Sequence, residues 1–254
     1  MPLARSGRSA RPARPALGFE FHLIYQKLHQ FCVVEMGSFY LDILKDRMYT
    51  MRADSRGRRS AQTAMYHILE ALVRWLAPIL SFTAEEIWSH MPAGRGESVF
   101  LAGKYDLSSV QYSAEEEKEG MSLQCWDTVI AVRETVKREL EKLRVAGGIG
   151  SSLDAEVDIY GEPRLFEVLQ KLHDELRFVF IASYVRVHPV ESRRPESVET
   201  EIKGLYVQVA PSAHPKCIRC WHHRADVGAH QDHPEICTRC VLNVSGAGET
   251  RSYA

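Results

Sequence analysis

Four cysteines near the end of the chain carry its clearest chemistry. Cys217 and Cys220 form one C-x-x-C pair, Cys237 and Cys240 form another, and sixteen residues separate the pairs. A C-x-x-C turn aims two thiolates at one ion, and a second such turn completes a tetrahedral shell. The spacing falls within the zinc pattern of two knuckles separated by about 15–20 residues. Four sulfur ligands leave no position for water or substrate, so the expected site holds one structural Zn2+. Such a site folds a segment too short to build its own core. The alternative is four thiols, free or in two disulfides. Cys32 and Cys125 lie far away in helical patterns and read as buried small apolar residues.

His222, His223, His230 and His233 lie between the knuckles. Each is an alternative ligand, but four well-spaced cysteines make them surface or supporting residues. Trp221 directly follows Cys220. Its ring either packs on the knuckle or offers a stacking platform for a nucleotide base. The rest of the chain carries no phosphate-binding glycine loop and no identifiable pair of carboxylates or nucleophile with its base. It reads as a recognition region rather than a complete catalyst.

The elements that must position these residues follow from composition and period. Hydrophobic residues make up 45% and charged residues 26% of the 254, as in ordinary soluble globular proteins. No apolar run is long enough to cross a membrane, and no secretory signal is visible. Paired C-x-x-C motifs without such a signal favour metal over disulfides and a reducing, cytoplasmic setting. The formal net charge is −1, so any nucleic-acid contact must come from local patches. Arg5, Arg8, Arg11 and Arg14 contribute +4 to a tail over residues 1–18 that is expected to be disordered. That tail reads as a dangling end, with a phosphate-gripping arm or a transit peptide as alternatives.

From Phe19 onward the pattern is helical. Phe21, Ile24, Leu28 and Phe31 recur at helical spacing, and Phe39, Ile43 and Leu44 continue the stripe after Gly37. A basic connection, ADSRGRR, leads to a second helix from about Ser60, with Ala64, Ile68, Leu72 and Trp75 on one face. Thr83 and Glu86 fit a capping box for a third helix. Glycines, prolines and the acidic run Glu115, Glu116, Glu117 and Glu119 make 92–122 a surface connection. A further helix spans about Trp126 to Leu143 and ends at Gly147. Leu153, Ala155, Val157 and Ile159 alternate as a strand. Pro163 starts a helix to about Leu176, and strands follow over Phe178 to Val187 and Leu205 to Val209. The expected fold is mainly α. A helical domain over 19–146 precedes a small α+β unit over 147–212 and a four-cysteine zinc-finger module over 213–254.

Three stretches look familiar together: SFYLDILKDRMYT, TAMYHILEALVRWLAPILSFTAEEIW and the terminal CIRCWHHRADVGAHQDHPEICTRCVLNVSGAGETRSYA. They resemble, in the same order, the C-terminal part of bacterial-type isoleucyl-tRNA synthetases, class I isoleucine–tRNA ligases. The helical block resembles the anticodon-binding domain shared by the isoleucine, valine, leucine and methionine ligases. The terminal block resembles the zinc finger that isoleucyl enzymes share with a group of DNA-repair glycosylases. The family's HIGH-type and KMSKS-type signatures and its editing domain do not occur here. The Arg-rich start does not match the family either.

The resemblance implies a region that holds isoleucine tRNA by its anticodon arm, as a monomer, separated from its catalytic half. ATP chemistry would belong to the whole enzyme, and this chain alone is expected not to charge tRNA. It also implies cationic contacts to phosphates and stacking on splayed bases. The candidates are Arg47, Arg52, Arg56, Arg58 and Arg59 around the first helical connection, together with Trp221. A solvated basic turn is the plain alternative for any one arginine. A stand-alone zinc-finger nucleic-acid binder and a non-functional gene fragment are the alternatives for the chain. A long helical block ahead of the finger favours the ligase.

Overall fold

The computed structural model describes residues 20–92, 94, 96–106 and 121–253. The basic tail and the acidic run at 115–119 lie outside the described residues. The first helical run has three parts: α1 (Phe21–Gln30), a π-helical stretch (Phe31–Tyr40) and α2 (Leu41–Thr50). Gly37 does not break it. A Cβ there would stand 3.2 Å from the Cys32 carbonyl oxygen, inside the widened turns. Met36, Tyr40 and Leu44 pack on Ala61 and Ile68 of α3 (Arg56–Leu76).

Helix α3 starts four residues before the expected Ser60. Ser55 takes the N-cap, and its hydroxyl accepts from the Arg58 amide at 3.3 Å. Arg56, Arg58 and Arg59 therefore occupy the first helical turn rather than a loop. Helix α4 (Ser81–His90) also starts early, and the expected Thr83–Glu86 capping box does not form. A tight turn closed by the Leu80 amide on the Leu76 carbonyl, at 2.7 Å, delivers the chain straight into the next helix. Thr83 is left inside that helix, with Leu80 at the N-cap position.

Helix α5 (Leu123–Val145) carries Val129, Val132, Val136 and Leu140 on its buried face. Ser122 caps its start by accepting from the Cys125 amide at 3.2 Å. Gly147, at φ +77°, turns the chain out of it, and the Gly148 amide closes on the Leu143 carbonyl at 3.0 Å. Only glycine takes this left-handed backbone without strain. Ser122→Ala is expected to lower stability by about 1 kcal/mol, read as the shift in denaturant midpoint.

The four strands are β1 (Ala155–Gly161), β2 (Tyr184–Pro189), β3 (Val198–Glu199) and β4 (Leu205–Pro211), in the order β2-β1-β4-β3. β1 runs parallel to β2 and antiparallel to β4, and β4 is antiparallel to β3. Helix α6 (Pro163–Gln170), with Pro163 in its first turn, and the short α7 (Leu176–Phe180) join β1 to β2. Two expectations fail here. The helix from Pro163 stops at Gln170 instead of Leu176, and residues 178–180 are helical rather than the start of a strand. Phe178, Val179 and Phe180 are all buried. A continuous apolar run of this kind carries no period that separates strand from helix. Ile181, in the left-handed region at φ +54°, ends α7 before the strand begins.

One core joins the buried face of α5 to β1, β4, α6 and α7. The helical domain and the α+β unit thus share packing rather than meeting through a linker. Cys32 is exposed and Cys125 half-buried, so neither is the fully buried residue that its pattern suggested. Among the described residues, no helix is long and apolar enough to cross a membrane.

Candidate metal centre and nucleic-acid interface

The chain leaves β4 at Pro211 and enters the finger. Cys217 and Cys220 sit on a turn in which the Trp221 amide donates to the Cys217 carbonyl at 2.9 Å. Cys237 is the N-cap residue of α8 (Thr238–Ser245), and Cys240 lies in its first turn. All four sulfurs lie within 4.8 Å of one another, and all four residues are buried. The Cys217–Cys240 and Cys220–Cys237 sulfur separations are 3.8 and 3.7 Å. A tetrahedral zinc with Zn–S of about 2.3 Å needs sulfur–sulfur edges of about 3.8 Å. A disulfide needs about 2.05 Å, so the pairs are spaced for an ion and not for a bond.

The thiol acidities fit the same donor set. Hydrogen bonds from the other sulfurs, Cys217 first, push Cys220 down, while Cys217 and Cys220 push Cys237 up. Neighbouring thiols cannot all ionise together unaided, and a dication removes the conflict by accepting four thiolates. The Cys237 amide points at the Cys217 sulfur at 3.4 Å, and Arg219 Nη1 approaches the Cys240 sulfur at 3.8 Å. Both donors would spread thiolate charge.

The histidines have other partners. His222 is buried, with Nδ1 3.2 Å from the Cys220 carbonyl and its ring edge-on to Phe178. His223 bridges the His214 carbonyl and Asp154. His230 and His233 reach Thr238 and Ser245.

Trp221 is 63% exposed, so its ring faces solvent rather than sealing the knuckle. Its backbone sits at φ +65°, a conformation that costs a bulky residue on the order of 1–3 kcal/mol. Arg219, two residues earlier, donates to the Thr50 carbonyl at 2.7 Å and the Tyr49 carbonyl at 3.5 Å. The knuckle is thereby pinned to the end of α2, beside the exposed Tyr49.

A charged lock, which the sequence did not reveal, completes that attachment. Arg239 of α8 makes two 2.8 Å bonds to the Asp46 carboxylate of α2. Arg251 also bonds Asp46 and reaches Glu249 at 3.0 Å. The Arg251 guanidinium lies 3.5 Å from the centre of the Phe178 ring. Beyond it, the Ser252 and Tyr253 amides donate to Glu175 at 2.6 and 2.7 Å. The segment after α8 therefore straps the finger to both the helical block and the start of α7. Burial raises the Asp46 carboxyl, but the charges of Arg239 and Arg251 outweigh it and hold the group well below the usual range.

The five candidate arginines divide three ways. Arg47 is half-buried, and burial, reinforced by the Arg251 charge, pushes its pKa down. Arg52 pairs with Asp54 and donates to the Gly246 carbonyl at 2.7 Å, tying the helical connection to the finger. Arg58 folds back toward the Met51 carbonyl at 3.4 Å. Arg56 and Arg59 are exposed, with Arg59 reaching Gln62 at 3.2 Å. The geometry thus brings Arg47 and Arg52 to the seam between finger and helices, and leaves Arg56 and Arg59 facing solvent.

Residues 17–159 match the family model of the anticodon-binding domain of tRNA ligase, more than half of the chain. The chain belongs to that family. Residues 215–243 of this anticodon-binding family member match a zinc finger found in FPG and IleRS. The four-cysteine cluster is accordingly a structural zinc site. The isoleucine–tRNA ligase of Nitrosococcus oceani is 60% identical over 237 residues, covering 93% of this chain and 25% of that protein. The isoleucine–tRNA ligase of Thioalkalivibrio sulfidiphilus is 56% identical over 239 residues, and that of Methylococcus capsulatus 54% over 236. The chain spans about a quarter of the length of these curated relatives.

Proposed function

We propose that this chain is the tRNA-holding portion of an isoleucine–tRNA ligase and recognises the anticodon region of isoleucine tRNA. The observation that carries the reading is Trp221. A large ring held exposed on a left-handed backbone, beside a rigid metal knuckle, is a poor choice for stability and a good platform for an unstacked base. Arg56 and Arg59 support it. They lie in the first turn of α3, where the helix dipole disfavours cations and favours anions. A phosphate bound there relieves both the mutual repulsion and the dipole. Thiolate ligation suits a reducing compartment, and the proposed setting is the cytoplasm, with the chain acting as a monomer.

Filter binding across a salt series tests the division of labour. Replacing Arg56 and Arg59 together with alanine should weaken all RNA binding and reduce the salt slope by about 1 to 2. Trp221→Ala should lose about 1–3 kcal/mol of binding to isoleucine tRNA and erode the preference for it, with zinc content unchanged. A Trp221→Ala protein that keeps its preference would remove the ring from recognition.

Charging chemistry belongs to the remainder of the ligase in this reading. The chain alone should give no isoleucine-dependent exchange of pyrophosphate into ATP. Exchange that co-purifies with the chain and disappears on its mutation would refute that assignment.

A further inference from the structure

One face of α5 lines a cavity at the seam between the helical block and the α+β unit. Arg133, Lys137, Glu141 and Arg144 recur at i, i+4, i+8 and i+11, a single row along the helix. With Asp42 of α2 and Ile181 at the end of α7, they line a cavity of about 180 Å³. Both of its carboxylates are already engaged. Arg144 donates to Glu141 at 2.7 and 2.8 Å, and Lys45 donates to Asp42 at 2.8 Å. Two cations are left over, Arg133 and Lys137. Among the described residues, Lys137 makes no hydrogen bond or ion pair.

Arg133 is 4% exposed. Its Nε donates to the Val179 carbonyl at 2.8 Å, Nη2 to the Ser38 carbonyl at 3.3 Å and Nη1 to Glu134 at 2.8 Å. A guanidinium has five N–H donors, so two remain uncommitted among the described residues. Among those residues its charge is met only by Glu134, which is 50% exposed and does not line the cavity. A buried cation balanced only at the rim leaves its site electropositive. The same bonds fix the planar fork before any ligand arrives, which spares the entropy of ordering it. Ile181 is a second, independent sign. A β-branched residue at φ +54° is an outlier, and such strain gathers at ligand clamps. We propose that this cavity binds a phosphate group, with the Arg133 fork on two of its oxygens and the Lys137 ammonium on a third. The site uses none of the residues assigned above to holding tRNA, so it stands independently of that reading.

Calorimetry of the full, zinc-loaded chain with inorganic phosphate is the test, run against chloride at matched ionic strength. Wild type should bind phosphate saturably, with a Kd of about 1 mM or tighter. Lys137→Met, at an exposed position, should weaken binding at least about tenfold. Arg133→Lys keeps the charge but loses the fork, and should also weaken it. Lys142→Met, on the opposite face of α5 with its side chain 70% exposed, should not. Melting temperature verifies the folding of each variant, and Lys137→Met carries the decision if Arg133→Lys unfolds. No saturable binding by wild type, equal binding by Lys137→Met, or an equal loss in Lys142→Met would overturn the proposal. Isoleucine tRNA, titrated with and without phosphate, identifies the source of the group. Competition, together with weaker tRNA binding by Lys137→Met, assigns an RNA backbone phosphate. Unchanged tRNA binding with phosphate binding lost assigns free phosphate or a small phosphate ester.

Discussion

Replacing Cys237 with serine should empty the zinc site and unfold the finger while the rest of the chain stays folded. Cys237 is a ligand, the N-cap residue of α8 and the source of an amide aimed at the Cys217 sulfur. Within the finger little else is buried, and its outer attachments need a folded knuckle to present them. Its buried cluster consists of the four cysteines and Ile236, with Val227 and Val241 packed alongside. Structural zinc contributes apparent binding free energies of about 10–16 kcal/mol, expressed as folding. The core of α5 and the sheet, by contrast, buries a continuous set of large side chains and needs no metal. Metal analysis should fall from one zinc per chain to near none. Amide exchange should accelerate across 215–250 but not within α5 or β1. A wild type without zinc after reducing, chelator-free purification would defeat the site.

Asp46→Asn should loosen the finger from the helical block with the zinc still bound. Asp46 faces Arg239 and Arg251, whose side chains are 10% and 2% exposed. Removing one member of a buried ion network leaves uncompensated charge, at a cost of about 3–5 kcal/mol. The sign of the pH dependence follows from the depressed acidity of Asp46. Its stabilisation is present in full above the unfolded value of about 3.9 and fades as the pH falls through the lower folded value. The gap in melting temperature between wild type and D46N should therefore hold steady from about pH 6 to 8. A gap that closed over that neutral range would assign the effect to another group. Arg239→Met with Asp46→Leu should recover part of the loss, because apolar replacement of a whole buried pair is often tolerated.

The zinc site was legible because its chemistry is local. Two C-x-x-C turns with fixed spacing specify a tetrahedron whatever surrounds them, and the sulfurs lie together as that spacing required. Long helices were legible for the same reason, since α5 displays its period over 23 residues. The lock was not legible. Arg239 and Asp46 are 193 positions apart, and Arg251 and Asp46 are 205 apart. No periodicity connects such pairs. The cluster from Arg47 to Arg59 looked uniform in sequence, yet tertiary packing draws Arg47 and Arg52 into the seam, folds Arg58 back on the backbone and leaves two outward. The start of β2 was misplaced where burial on every side erased the alternation of Phe178 to Phe180. Thr83 has the residue type of a cap, but the tight turn at 77–80 sets the start of α4 instead.

What the folded, zinc-loaded chain holds is decided most directly by a side-by-side affinity measurement. Isoleucine tRNA, a non-cognate tRNA and duplex DNA are compared at one ionic strength of about 0.15 M. Isoleucine tRNA should bind best, with the advantage lost when the anticodon loop is altered and retained when the acceptor end is trimmed. Equal affinity for all three would reduce the chain to a generic polyanion binder. A clear preference for DNA would contradict the tRNA reading and assign the finger to a stand-alone nucleic-acid-binding role.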